Sequence, residues 1–144
     1  MLSQNRDRNT MKKLIVILIL ISIPAISAGI VDKRKENFQT NKESMKNIYQ
    51  AIKVNDLQQI IESSNKIELF ASEMVDYFPV DSSSRGASDD IWTNFDGFKE
   101  RAKKNETAAK LLKNAAQQNK IDELNELFNQ LSMTCKSCHR SFKN

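Results

Sequence analysis

The chain has few of the residues that punctuate strands and loops, with three glycines and two prolines in 144 residues. It also lacks the strictly alternating apolar and polar runs that mark half-buried strands, which excludes a sheet as its organising element. Histidine occurs once and cysteine twice. That count rules out a structural zinc site of the usual four Cys or His ligands. No acid–base pair or nucleophile constellation appears, so a turnover enzyme is not indicated. The formal charge is +4. Arg6, Arg8, Lys12 and Lys13 against Asp7 put +3 of it in the first 28 residues, leaving the remainder close to +1. Such a balance gives no reason to expect nucleic-acid binding.

Those first 28 residues have a pattern of their own. From Met11 to Ala28 the chain reads MKKLIVILILISIPAISA: two lysines, an apolar run from Leu14 to Ile23, Pro24, then small residues. This is the order of a secretory signal peptide, too short and wrongly flanked to be a stable membrane span. The ten polar residues before Met11 match no part of that order, which makes Met11 a candidate start. Cleavage is expected after Ala28, with Ser27 as the close alternative. The expected organisation is therefore a leader over 1–28 and a single small domain over 29–144, exported to the periplasm and without a membrane span.

Four segments in that domain carry apolar residues at helical spacing. The first spans about Val31 to Val54, with Val31, Phe38, Met45, Ile48 and Ile52 on or near one stripe. Asn55 and Asp56 interrupt it and offer a cap for the second, where Leu57, Ile60, Ile61, Ile67, Phe70, Met74, Val75 and Phe78 keep the period until Pro79. Ser82, Ser83, Ser84 and Gly86 mark a loop. Ser88, Asp89 and Asp90 read as the cap and acidic first turn of a third helix with Ile91, Trp92, Phe95, Phe98, Ala102, Ala109 and Leu112 inward. Asn119 is the expected cap of a fourth helix, which places Ile121, Leu124, Phe128, Leu131, Cys135, Cys138 and Phe142 on one side. Helices of this length joined mostly by short turns predict an all-α, antiparallel up-down four-helix bundle.

Both cysteines and the only histidine fall in five residues, Cys135, Lys136, Ser137, Cys138 and His139. A C-x-x-C-H run is the signature of covalent c-type haem attachment. Two thiols three residues apart lie on one helix face and can add to the two vinyl groups of one porphyrin, while the adjoining imidazole reaches the iron. A thiol–disulfide centre is the rival reading of C-x-x-C, but it belongs beside a strand–helix unit that is missing here. Because Cys135 and Cys138 continue the apolar stripe, the haem is expected inside the bundle near one end. The sixth coordination position then decides function. With no second histidine, Met45, Met74, Met133 or a lysine amine are the available ligands. Met45 and Met74 sit on apolar stripes where methionine usually fills core, and Met133 lies on the helix of the proximal ligand.

The C-terminal CKSCH followed by Arg140, Ser141, Phe142 and Lys143, the four-helix pattern, and Asp90–Ile91–Trp92 with Phe98–Lys99 together resemble cytochrome c′, the class II c-type cytochromes. The likeness spans essentially the whole mature chain. It implies one covalent haem c held by Cys135 and Cys138, with His139 as axial ligand. It further implies an arginine near the start of the first helix and, four residues later, the side chain over the distal haem face. Here these are Arg34 and Phe38, with Arg34 and Lys35 implied as contacts for the haem propionates. Low-spin relatives place a ligating methionine where Phe38 stands, so the resemblance implies a five-coordinate, high-spin haem. The family often has arginine four residues after the haem histidine, whereas this chain has Lys143, which keeps the charge but not the planar fork.

The reading that follows is an exported haem protein binding a small gas, nitric oxide foremost and also carbon monoxide, and capable of one-electron cycling with an unidentified redox partner. Phe38 crowds the distal face and offers no hydrogen bond there. A low-spin periplasmic electron carrier with a methionine sixth ligand is the alternative. Homodimers through the first two helices are common in the family.

Overall fold

The computed structural model describes residues 23–144, and the side chains from Gly29 onward. The expected leader lies outside the described residues apart from 23–28, whose backbone opens the first helix. Four long helices carry the fold: α1 (Ile23–Val54), α2 (Leu57–Glu73), α4 (Phe95–Gln117) and α5 (Leu124–Phe142), with α3 (Asp90–Thr93) a single turn before α4. No strand occurs among the described residues. The all-α, up-down bundle expected from the spacing is the fold observed. α2 packs most broadly on α4, while α1 lies against α2 and α5 against α4.

Helix α1 begins several residues before the expected Val31. Pro24 falls in its first turn, where a missing N–H costs nothing, and Ala25 and Ala28 favour helix. At the other end Asn55 takes a left-handed φ of 54°, and the Asp56 carboxylate caps α2 by accepting from the Gln59 N–H at 3.0 Å. α2 stays α-helical only to Glu73, short of the expected Phe78. Its last turn tightens into a 3-10 helix over Met74–Tyr77, because Pro79 disfavours helical backbone at Phe78.

Two expectations about helix starts are corrected. The third helix does not run unbroken from Ser88: it stops after Thr93, and Asn94 restarts it by accepting from the Gly97 N–H at 3.2 Å. A Cβ on Gly97 would come within 2.6 Å of the Asn94 amide, so a larger residue there would make that side chain shift. Asn119 does not cap the fourth helix. It closes α4 with φ 55°, a conformation asparagine tolerates, and α5 begins through a 3-10 turn over Ile121–Glu123.

The interior divides into two clusters. An aliphatic one joins Ile48, Ile60, Ile67, Leu112, Leu124 and Leu131 with a row of alanines, including Ala108, Ala109 and Ala115, from α4. An aromatic one at the opposite end joins Phe70, Phe78, Phe98 and Phe142 with Ile91, Met74 and Ala102. Ser88 N–H donates to Phe142 O at 3.1 Å and Asn144 Nδ2 to Ala87 O at 3.1 Å, which ties the end of α5 to the loop.

Candidate functional site

A cavity of about 610 Å³ opens at the aromatic end between α1 and α5, floored by α4 and the 84–91 segment. Arg34, Lys35, Phe38, Cys135, Cys138 and His139 all line it. Thus every site residue expected from the sequence reaches one space, although α1 and α5 are at opposite ends of the chain and touch each other little. The volume is in the range of cofactor sites.

The α5 wall is set by the stripe Leu124, Phe128, Leu131, Cys135, Cys138, Phe142, which alternates steps of four and three. Burial pushes the Cys135 thiol up, and it pushes the Cys138 thiol up to about 11, helped by the neighbouring Cys135. Both are therefore protonated at neutral pH, the opposite of the reactive thiolate that disulfide chemistry needs. His139 as a residue is exposed, but partial desolvation of its ring, and secondarily the Lys143 charge, lowers the imidazole below its ordinary value, which favours the neutral form with a lone pair to offer a metal. Asn105 of α4, 5% exposed, donates from Nδ2 to Thr134 Oγ1 at 2.8 Å and to Cys135 Sγ at 3.5 Å. Arg101 donates from Nη1 to Ser137 Oγ at 2.6 Å. These bonds fasten the pentapeptide to α4.

Across the cavity the Phe38 ring lies opposite His139, with centroids 6.5 Å apart and the ring planes tilted by 59°. Phe38 is itself held edge-on against Phe70 at 4.9 Å and Phe78 at 6.5 Å.

Arg34 is 3% exposed and its position is determined by long-range bonds. Nη1 donates to Tyr77 O at 3.2 Å and Ser82 Oγ at 3.5 Å, and Nη2 to Ser82 O and Ser84 Oγ, both at 2.9 Å. Its guanidinium also lies 4.2 Å from the centre of the Phe78 ring. Arg34 therefore clasps the loop after α2 while bordering the cavity. Lys35 is exposed and paired with Asp32 at 3.2 Å. Of the methionines weighed as iron ligands, Met45 and Met74 line the cavity, whereas Met133 is 57% exposed and does not. Trp92 is not in the wall; its indole N–H donates to Phe78 O and Pro79 O.

Two wall residues escape a search for apolar periodicity because they are its polar members. The α1 stripe Val31, Arg34, Phe38, Asn41, Met45, Ile48, Ile52 includes Asn41, and the α4 stripe Phe98, Ala102, Asn105, Ala109, Leu112 includes Asn105. A polar residue at an inward position is the signal that would have found both. Asn41 Oδ1 is buried without a hydrogen-bond partner, an arrangement that costs about 1–3 kcal/mol.

The family model described as cytochrome C′ matches residues 29–143. No curated protein matches the chain. Among solved structures, cytochrome c′ from Thermochromatium tepidum superposes with a TM-score of 0.75 at 18% identity, covering 81% of this chain and 95% of its own. A nitric oxide complex of a variant cytochrome c prime from Alcaligenes xylosoxidans gives 0.74 at 18% identity, covering 82% and 95%. A cytochrome c′ with ligand-controlled dimer dissociation gives 0.75 at 17% identity, covering 81% and 95%. Members of the matching family bind haem c covalently through cysteines, and the fit here is good: a cavity of suitable volume, two thiols on one wall, a neutral imidazole beside them and the Phe38 ring opposite.

Proposed function

The chain belongs to the cytochrome c′ family, and on that premise we propose that it is an exported gas-binding haem protein with a five-coordinate, high-spin iron. Cys135 and Cys138 hold the cofactor through thioethers and His139 is the axial ligand. Bound there, a haem supplies one open iron position for a small gas and a one-electron couple for an unidentified redox partner.

The observation that carries the reading is Phe38 facing His139 at 6.5 Å. A phenyl ring has no lone pair to ligate with, and held by Phe70 and Phe78 it crowds the distal side. Nitric oxide, the ligand that binds ferrous haem most tightly, tolerates such crowding best, and carbon monoxide is the useful probe. Neutral His139 supplies its lone pair without first losing a proton. Arg34 has committed its terminal nitrogens to the loop, so its Nε–H is the donor that remains for a propionate, and Lys35, paired with Asp32, is the neighbouring cation. The nitric oxide complex among the structural neighbours supports the choice of gas. No helix among the described residues is long and apolar enough to cross a membrane. The pattern of residues 11–28 supports export to the periplasm with cleavage behind residue 27 or 28. Tyr49, Val54 and Leu69, exposed on α1 and α2, suit a homodimer through those helices.

Optical spectra of the ferric and ferrous holoprotein test the reading, with and without nitric oxide. The protein should be five-coordinate, and Phe38→Met should turn it toward six-coordinate, low-spin. A methionine-to-iron charge-transfer band in the unmutated ferric protein would overturn this. Because Met45 and Met74 both line the cavity, the low-spin electron carrier would then lead, with those two as the ligands to replace.

A further inference from the structure

The cavity wall contains several side chains with amide or cationic donors, and most are engaged. Gln39 Nε2 donates to Glu43 Oε1 at 3.0 Å, Asn105 is bound to Thr134 and Cys135, and Arg101 to Ser137. Asn41 is different. It lines the same cavity, three residues after Phe38 on the inward stripe of α1, and its Oδ1 is enclosed by protein with no donor to meet it. An asparagine amide carries an acceptor at one end and two N–H donors at the other. With the oxygen walled in, the donors are the end left for the cavity.

We propose that the Asn41 amide donates a hydrogen bond to a ligand bound on the Phe38 side of the haem, so that the distal wall favours small ligands that accept one. The inference rests on the five-coordinate reading above and changes its mechanism. Phe38 restricts the size of what binds, and Asn41 adds a polar preference that a wall of phenylalanine and methionine alone would not have. The placement also accounts for an asparagine on a stripe whose other members are Arg34 and the apolar Val31, Phe38, Met45, Ile48 and Ile52.

Two probes on purified holoprotein test this: the C–O stretch of the ferrous carbon monoxide complex, and the affinity of the ferric protein for fluoride, an anion that accepts hydrogen bonds strongly. Asn41→Leu should raise the C–O stretching frequency and weaken fluoride about tenfold, the worth of one hydrogen bond to a charged acceptor. Asn41→Ala, which opens space rather than filling it, should move both readings in the same direction, separating a lost donor from altered crowding. If both variants leave the stretch and the fluoride affinity at wild-type values, the Asn41 assignment is wrong. A six-coordinate spectrum of the wild type before any ligand is added would instead overturn the five-coordinate reading, so the two failures are distinguishable.

Discussion

At the end of the bundle where α1 hands over to α2, the interior is closed by protein alone: Ile48, Ile60, Leu112, Leu124 and Leu131 are all essentially inaccessible, and alanines of α4 let the helices approach. At the other end the same four helices carry rings in place of aliphatic chains, and they leave a cavity of about 610 Å³ between α1 and α5. Rings are rigid and meet edge to face, as Phe78 with Phe98 and Phe98 with Phe142 do, so they can border an opening without collapsing into it. One fold thus holds a core closed by its own side chains and a core that is complete only with its cofactor.

The largest effect should come from removing what fills the open end. Cys135→Ser with Cys138→Ser should abolish covalent haem, read by mass spectrometry, and leave a protein with little cooperative helix by circular dichroism. A stable, fully helical haem-free domain would mean that the aliphatic end folds the whole chain. Next, Leu112→Ala at the closed end should cost about 2–5 kcal/mol by denaturant titration with no change in the haem spectrum, since the cavity it creates is remote from the haem. A spectral change there would show that the two ends are coupled. The smallest effect should follow Arg34→Lys, which keeps the charge but loses the planar fork: about 1–2 kcal/mol, with faster proteolysis of the 77–84 loop. Unchanged proteolysis would mean that Arg34 does not hold that loop.

The periodic α5 stripe carried most of what could be read in advance. It runs from Leu124 through Cys135 and Cys138 to Phe142 without a break, so the attachment segment had to face the interior. The helices of α1 and α2, and the Asp56 cap, were legible for the same reason: their signals are local. Asn94 and Asn119 were not. Asparagine serves equally as a start cap and as a left-handed stop, and only the neighbouring backbone decides between them. Arg34 was identified as a site residue from a likeness, but its bonds to Tyr77, Ser82 and Ser84 cross 43 to 50 residues of sequence, and no local pattern encodes such partners. Phe38, expected over the distal haem face, lines the cavity, yet it is half-buried rather than enclosed, which reduces the stability its ring contributes.

The hydrogen bonds from Arg101 and Asn105 to α5 have a mechanical consequence. They join α4 and α5 into one stiff wall on the cysteine side, whereas α1 touches α5 little and meets the loop chiefly through the Arg34 clasp. The two sides of the cavity are therefore expected to yield unequally to thermal motion. Amide hydrogens on α4 and α5 beside the cavity should exchange with solvent slowly and together, and those in the first half of α1 sooner. For the gas binding proposed above, the consequence to test is that entry follows the excursions of α1 rather than those of the α4–α5 wall.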